Sequence, residues 1–540
     1  MTAAVGSQPE EEEDQSCFRR EQDEQSVEYK NDDSPDSVRQ FPLAVSDPVE
    51  YTRRVCALYT SSGAAILGNV LEWYDWTVSG YMQDILRDVF LDGSQLGSWL
   101  VFAIPFGARP LGSVLLGWVG DRYGRKVALN AAIWGMALAT VLQGCLLPAL
   151  PGAVALLAIL RFCSGLSAGG EAASVNTCMT EFGGRERDYT LVAAVGVNNV
   201  SGSLAFLAAN VVVLLVHQLP RSQQLSYGWR IPFLLSAPVG LLSVLLRRGM
   251  PETEAFLSLK SQGGSDSRSP VDDGSDDRDG SSLGIGSGEQ ENPTATTTKN
   301  PTIDVTGQLE TEAKARLCAP TCFADARAIV LTVIVISAIN SCNYFPVYLA
   351  SWLTSQAGFS ANTALLITAI SKVVQTLMTF PASFAGDRLG ATRTMLVGGT
   401  AACVFMVPAM LLVIHVAGAS VAETAAAHSE SVRVVLVAAL VLGVFLPVLI
   451  SFYLVPSNLF MTSLFRTAFR GRGAGLGLGL ASVVGGLTPL ISAALAESGG
   501  DWLPGAFISG LAGPSLAALC WCRRAAACGR LAVHQRPWLF

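Results

Sequence analysis

Charge is scarce in this chain. Of 540 residues, 15% are Asp, Glu, Lys or Arg, against about 25% in soluble domains. Histidine is scarcer still. His217, His415, His428 and His534 are the only four, and all fall at the ends of apolar runs, in loops or in the tail. A histidine proton carrier inside an apolar segment is thereby excluded. The 12 cysteines are scattered, without the spacing of a metal site or a disulfide framework. Cys520, Cys522 and Cys528 sit beside Arg523 and Arg524, a setting that suits palmitoylation. Ordinary helix-end cysteines are the plainer reading. A basic leader is also lacking: the first 50 residues are polar and acidic, so no cleavable signal peptide is expected.

Apolar runs are abundant. The chain is 50% hydrophobic with a mean hydropathy of +0.41. Runs of about 20 apolar residues, the length that crosses a bilayer, lie near 57–82, 95–119, 127–147, 153–178, 190–216 and 229–246. Six more lie near 327–355, 362–385, 394–416, 432–456, 473–495 and 503–522. The expectation is an all-α integral membrane protein of twelve spans in two six-helix bundles. Residues 1–36 carry 12 acids and 3 bases, and residues 257–325 carry 12 acids and 6 bases. Removing their −9 and −6 from the total of −7 leaves +8 for the remainder. The acidic balance belongs to two polar segments, and the membrane body is basic.

Loops "GDRYGRK", "GGRERD", "RRGMPE", "GDRLGATR" and "RTAFRGR" hold most of the lysine and arginine between spans. By the positive-inside rule that side, with both termini, faces the cytoplasm. The expected organisation is a disordered acidic tail over 1–54, a bundle over 55–256 and a disordered acidic linker over 257–325. A second bundle over 326–523 and a cytoplasmic tail over 524–540 complete it. The linker, rich in Ser, Asp, Gly and Thr, lacks the apolar surface to offset ordering entropy. "GDRYGRK" after the second span echoes "GDRLGATR" after the eighth, and repeated halves place a site near the midplane between them. "GRGAGLGLGLASVVGGLTP" (471–489) spaces small residues three and four apart, which lets helices approach closely.

Buried charge carries the chemistry. Glu72 and Asp75, in "GNVLEWYDW" (68–76), lie three apart on nearly one helix face. An ionised carboxylate near the bilayer centre costs roughly 2.5–3.5 kcal/mol on insertion scales. Such a group faces a cavity or an arginine, and burial moves it toward proton exchange near neutrality. Glu171, ten residues before Glu181, is a third candidate about 15 Å in. Arg109 and Lys372 lie about 18 and 22 Å from the basic-loop surface. Arg109 is expected either to pair with Glu72 or Asp75 or to grip a substrate carboxylate, and Lys372 to offer a second positive point. Arg161 is expected near the other end of its span, as an anchor or gate. Polar lining is expected from Asn199 and from Asn340, Asn343, Tyr344 and Tyr348, with Asn340, Tyr344 and Tyr348 on one stripe. Asp121, Arg125 and Lys126, with Glu181, Arg185, Asp387, Arg470 and Arg472, are candidates for a charge network that latches one conformation. "GLSAG" (165–169) matches the hydrolase pattern G-x-S-x-G, but it lies in an apolar helix without a histidine at that depth, and no enzyme is expected.

"GNVLEWYDW", "ARPLGSVLLGWVGDRYGRK", "RFCSGLSAGGE", "YGWRIPF" and "AGLGLGLASVVGGLTPLI" together resemble the metabolite:H⁺ symporters of the major facilitator superfamily. The resemblance covers roughly 60–256 and 326–520 and is more specific in the first half. It implies alternating access and proton-coupled uptake of a small carboxylate or zwitterion, with a gating role for the Asp121 motif. Three departures stand out: Ala172-Ala173 after "GGE", "ETEAF" at 252–256, and the long linker. The buried charges of Arg109 and Lys372 bias the leading expectation toward symport of a small organic anion, a mono-, di- or tricarboxylate. A proline- or betaine-type zwitterion carrier is the alternative, and a non-transporting receptor of transporter form is the alternative of another class. No cofactor, metal or nucleic-acid partner is expected, and sodium is left open as the coupling ion. The expected setting is a lipid bilayer, the plasma membrane first and an organellar one left open, with a monomeric functional unit.

Overall fold

The computed structural model describes residues 48–61, 63–123, 125–169, 191–247, 323–423, 432–465, 470–531 and 533. The chain divides into two units, residues 1–52 and 53–540. Within the first, the described residues are the opening of a helix, Pro48–Ser61. Everything below concerns the second.

All regular structure among the described residues is helical. The first half comprises α1 (Gly63–Tyr81), α2 (Gln83–Phe90), α3 (Gln95–Tyr123), α4 (Arg125–Cys145), α5 (Ala153–Ala168), α6 (Leu191–His217), α7 (Arg230–Leu234) and α8 (Ser236–Arg247). The second comprises α9 (Phe323–Ser355), α10 (Ala361–Leu389), α11 (Ala391–Glu423), α12 (Val432–Ala438), α13 (Leu446–Leu454), α14 (Ser457–Ser463), α15 (Arg470–Glu497) and α16 (Leu503–Ala527). Every one of the twelve predicted ranges carries helix. Nine helices among the described residues are long and apolar enough to cross a membrane. The other three ranges hold α1, α5 and the α7–α8 run, which are shorter or less apolar; the tail of the 153–178 range lies outside the described residues. Helices suit a bilayer because each satisfies its own backbone polar groups. The same setting tolerates the internal prolines Pro105 and Pro110 of α3, Pro346 of α9 and Pro381 of α10.

The outside of the bundle is apolar. Leu111, Val114, Trp118, Leu138, Leu377, Val397 and Leu436 are exposed, a surface far beyond the apolar patches of a soluble monomer and suited to lipid. The two halves meet most extensively along α3 with α15 and along α6 with α10. Glycine makes that approach possible. A Cβ on Gly486 of α15 would lie 2.2 Å from the Phe106 ring of α3. Within the first half, a Cβ on Gly165 of α5 would lie 2.0 Å from the carbonyl oxygen of Pro105. The small residues of "RFCSGLSAGG" and of the α15 glycine run therefore set interhelical distances.

The halves touch on both faces. On the basic-loop side Ser113 donates to the carbonyl of Gly475 at 3.3 Å. On the opposite side Asn210 of α6 donates to Leu365 O at 3.0 Å and Thr368 Oγ1 at 2.9 Å on α10. Between these levels lie aromatic rings rather than an open channel.

Candidate functional site

The two carboxylates of α1 do not share a partner. Residues three apart on a helix diverge by about 60°, enough to meet different neighbours. Glu72 Oε1 lies 2.8 Å from Arg109 Nη2 of α3, and both side chains are buried. Asp75 Oδ1 accepts from Thr140 Oγ1 of α4 at 2.6 Å, and its Oδ2 accepts from Ser164 Oγ of α5. Arg161 Nη1 stands 3.6 Å from the same Oδ2. The expectation of Arg161 as an end anchor is thus corrected: it is 1% exposed and faces Asp75. Eight residues past the start of α5, it sits about 12 Å along that helix, level with Asp75.

Removing one member of such a pair strands the other charge. Glu72→Gln is expected to cost about 3–5 kcal/mol by leaving Arg109 buried without its counter-ion. Adding Arg109→Gln should recover most of that loss. Thermal unfolding of the two single variants and the double variant checks the coupling.

Lys372 of α10 differs from both arginines. It is buried, and its Nζ donates to Gln375 Oε1 at 2.8 Å and Asn343 Oδ1 of α9 at 3.4 Å, both neutral amides. It also lies 3.8 Å from the centroid of the Phe206 ring on α6, the position of a cation–π contact. Phe206 opens onto a cluster of rings from four helices. Trp76 packs on Phe206 at 5.2 Å, on Tyr344 at 4.6 Å and on Phe106 at 5.7 Å, with Trp73 at 4.9 Å from Trp76. Asn69 orients the cluster. Its Nδ2 donates to Asn198 and Ser201 of α6, while its Oδ1 accepts from Trp73 Nε1 at 3.1 Å.

The predicted lining divides. Asn343 reaches Lys372, and Tyr344 joins the rings. Asn340 and Tyr348 donate to Ser482 Oγ at 3.4 Å and Ser492 O at 3.1 Å of α15, while the Tyr348 ring also packs on Trp99 of the first half at 5.9 Å. Asn199 is half-buried with no hydrogen-bond partner at Nδ2, and its neighbour Asn198 holds the bond to Asn69.

Among the latch candidates, Asp387 is placed most tellingly. Its carboxylate, at the end of α10, accepts from the backbone N–H groups of Val192 (2.9 Å) and Ala193 (3.3 Å), in the first turn of α6. A carboxylate there complements the positive end of the helix dipole and ties one half to the other. Arg472 is exposed near the start of α15. Glu171, Glu181 and Arg185 lie outside the described residues, as do the side chains of Asp121, Arg125, Lys126 and Arg470.

A second clasp occupies the opposite face, outside the spans. Asp84 of α2 lies 3.5 Å from His217 Nε2 and 3.2 Å from Arg221 Nη1, and Asp88 pairs with Arg221 and with Arg87. Arg87 continues to Gln95, and Gln95 to Ser351 of the second half at 3.4 Å. Burial pushes the Asp84 carboxyl up, but its hydrogen bonds and charge contacts with His217 and Arg221 outweigh this and hold it below its ordinary 3.8. The clasp's contribution is therefore present above that value and is lost as pH falls through the depressed one. Hydrogen-exchange protection factors across α2, which divide out the intrinsic pH dependence of the rate, should be higher above about pH 4 than in stronger acid. A protection factor that rises as pH falls below about 4 would contradict this sign. Asp84 is 43% exposed, so solvent screens the effect and only its direction is predicted.

Several site residues escaped the sequence reading: Asn69, Trp73, Trp76, Phe106, Thr140, Ser164 and Phe206. The tryptophans and Asn69 lie inside the motif already singled out, and their adjacency to the carboxylates was the available signal. Ser167 of the "GLSAG" match donates to Cys163 O within α5, as an ordinary helical serine does.

The model of the sugar (and other) transporter family matches residues 61–517. The ectoine/proline transporter ProP of Corynebacterium glutamicum is 28% identical over 478 residues, covering 84% of this chain and 82% of that protein. A putative proline/betaine transporter of Staphylococcus aureus is 27% identical over 452 residues, covering 82% and 83%. The glycine betaine/proline/ectoine/pipecolic acid transporter OusA of Dickeya dadantii is 34% identical over 202 residues, covering 36% of this chain and 40% of that protein. Among solved structures, the proton:xylose symporter XylE superposes with a TM-score of 0.60 at 16% identity, covering 88% of this chain and 96% of that one. The chain belongs to the sugar (and other) transporter family, within the major facilitator superfamily, and is a multi-pass membrane transporter rather than an enzyme.

Proposed function

We propose that this transporter carries a small zwitterion of the proline, betaine or ectoine kind, by alternating access, with a proton as the coupling ion. One observation carries the reading. Arg109 already has its counter-charge in Glu72, which leaves Lys372, among the described residues, as the buried cation with only neutral hydrogen-bond partners, set against a box of aromatic faces. A carboxylate fits Lys372, and an onium nitrogen fits the negative faces of Trp76, Phe206 and Tyr344. The expected organic anion needed Arg109 as a second free cation, and the ion pair removes it. The names of the relatives point the same way.

Asp75 is the proposed proton carrier. It accepts two hydroxyl hydrogen bonds and faces Arg161, so it can exchange a proton without disturbing the Glu72–Arg109 pair. The Asp387 latch on the basic-loop side and the Arg87–Gln95–Ser351 contacts on the other would break alternately as the halves rock. The basic-loop side and both termini are assigned to the cytoplasm, and the membrane to the plasma membrane.

Ligand stabilisation tests the substrate class. At a concentration 100 times its dissociation constant a ligand adds about 2.7 kcal/mol. Purified protein should melt higher with proline or betaine and be unmoved by succinate or xylose. A shift with succinate alone would return the reading to an organic anion.

A further inference from the structure

A narrow crevice enters the first half at the opposite face, between α1, α2, α3, α4 and α5. Its polar lining is Ser79, Gln83, Ser98, Gln143 and Arg161, and five apolar side chains complete it. Gln143 and Arg161 are each 1% exposed and Gln83 is 7% exposed. The polar atoms they bring are unmatched. Arg161 Nη1 and Nη2, Gln83 Oε1 and Gln143 Oε1 have no hydrogen-bond partner among the described residues, while Gln143 Nε2 donates to Ala139 O at 3.3 Å. Buried donors and acceptors facing one space suit water, which bridges two to four such groups. The 3.6 Å between Arg161 Nη1 and Asp75 Oδ2 is also longer than a direct hydrogen bond and of a length that water bridges.

The crevice is separate from the proposed substrate site. Phe102 lines it and packs on Phe106 at 5.4 Å, so a wall of rings divides it from the Trp76–Tyr344 cluster. Resting on the reading of Asp75 as proton carrier, we propose that this crevice is a hydrated proton route from the opposite face to Asp75, with Gln83 and Gln143 as its positioning residues. A hydronium at the inner end gives up a proton; an O–H bond forms on the Asp75 carboxylate and a neutral water remains. While Asp75 is ionised, the Asp75–Arg161 pair has no net charge and presents little barrier. Once Asp75 is protonated, the unopposed Arg161 charge repels a second proton. Loading is therefore limited to one proton per cycle and needs no passage through the aromatic box.

The test separates net transport from exchange in proteoliposomes. Net uptake requires Asp75 to load and unload, whereas proline–proline exchange proceeds with its proton in place. Gln143→Leu, and separately Gln83→Leu, should slow proton-driven net uptake tenfold or more and leave exchange within about twofold of the unsubstituted protein. Gln143→Asn, which keeps an amide, should retain at least half of net uptake. Net uptake and exchange falling together, or neither changing, would overturn the route. Asp75→Asn in parallel distinguishes the two ideas. If it still accumulates substrate, the carrier assignment fails and the route with it. If it loses accumulation while both leucine variants transport normally, the route alone fails.

Discussion

Lys372→Met is expected to abolish uptake and, at the same time, to raise the melting temperature of the ligand-free protein. These opposite signs follow from one fact: Lys372 is a buried charge held by two neutral amides and a ring. Without substrate, such a charge is held at a cost, and an apolar side chain of similar length removes it. With substrate, it is the partner of a carboxylate. Losing one partner of a buried charge pair costs about 2–5 kcal/mol, so affinity should fall about 30-fold to several thousand-fold. Trp73 and Trp76 lie within the ring cluster, and their fluorescence gives a direct binding readout. A variant that binds proline normally, or melts well below the parent, would contradict the assignment. Lys372→Arg is not expected to rescue, because a planar guanidinium replaces a compact ammonium at a site shaped around Phe206.

Asp75→Asn is expected to remove accumulation and keep exchange. An asparagine resembles the protonated acid, and its carbonyl can still accept from Thr140 or Ser164. One proton moved through 100 mV supplies about 2.3 kcal/mol, which permits roughly 50-fold accumulation. The variant should reach only the external concentration, about one-fold, and its uptake should lose its dependence on a proton gradient. Flux of labelled proline with and without an imposed gradient measures both quantities. Retained gradient-driven accumulation would move proton coupling to another acid. Glu72 is the less suited of the described candidates, because it pairs directly with Arg109 at 2.8 Å, whereas Asp75 stands 3.6 Å from Arg161.

Spans and buried charges were legible in the sequence for a physical reason. A bilayer demands about 20 apolar residues per crossing, and an ionisable residue within such a run stands out against them. Glu72, Asp75, Arg109 and Lys372 were all visible in this way. Their pairing was not. Residue counting gives depth along one helix and says nothing of which helix lies alongside, so Arg161 was assigned to an end although Asp75 sits at its level. Treating Glu72 and Asp75 as one face also hid the 60° between them, which sends one to α3 and the other to α4 and α5. The aromatic box was the least legible feature. Trp76, Phe106, Phe206 and Tyr344 come from α1, α3, α6 and α9, and within each helix an aromatic residue is unremarkable. Packing among three helices of the first half, joined by Tyr344 from the second where glycines such as Gly486 allow close approach, brings them together. The proposed substrate class turns on a different contact, the Glu72–Arg109 pair within the first half, which gives one of the two expected cations a counter-charge.

The most direct measurement is proton movement in proteoliposomes of purified protein with a pH dye inside. Proline, betaine, succinate and xylose are added one at a time outside. The account predicts internal acidification on adding proline or betaine, none on adding succinate or xylose, and none with any solute in Asp75→Asn. Acidification by succinate alone, or proline uptake with no proton movement, would contradict it.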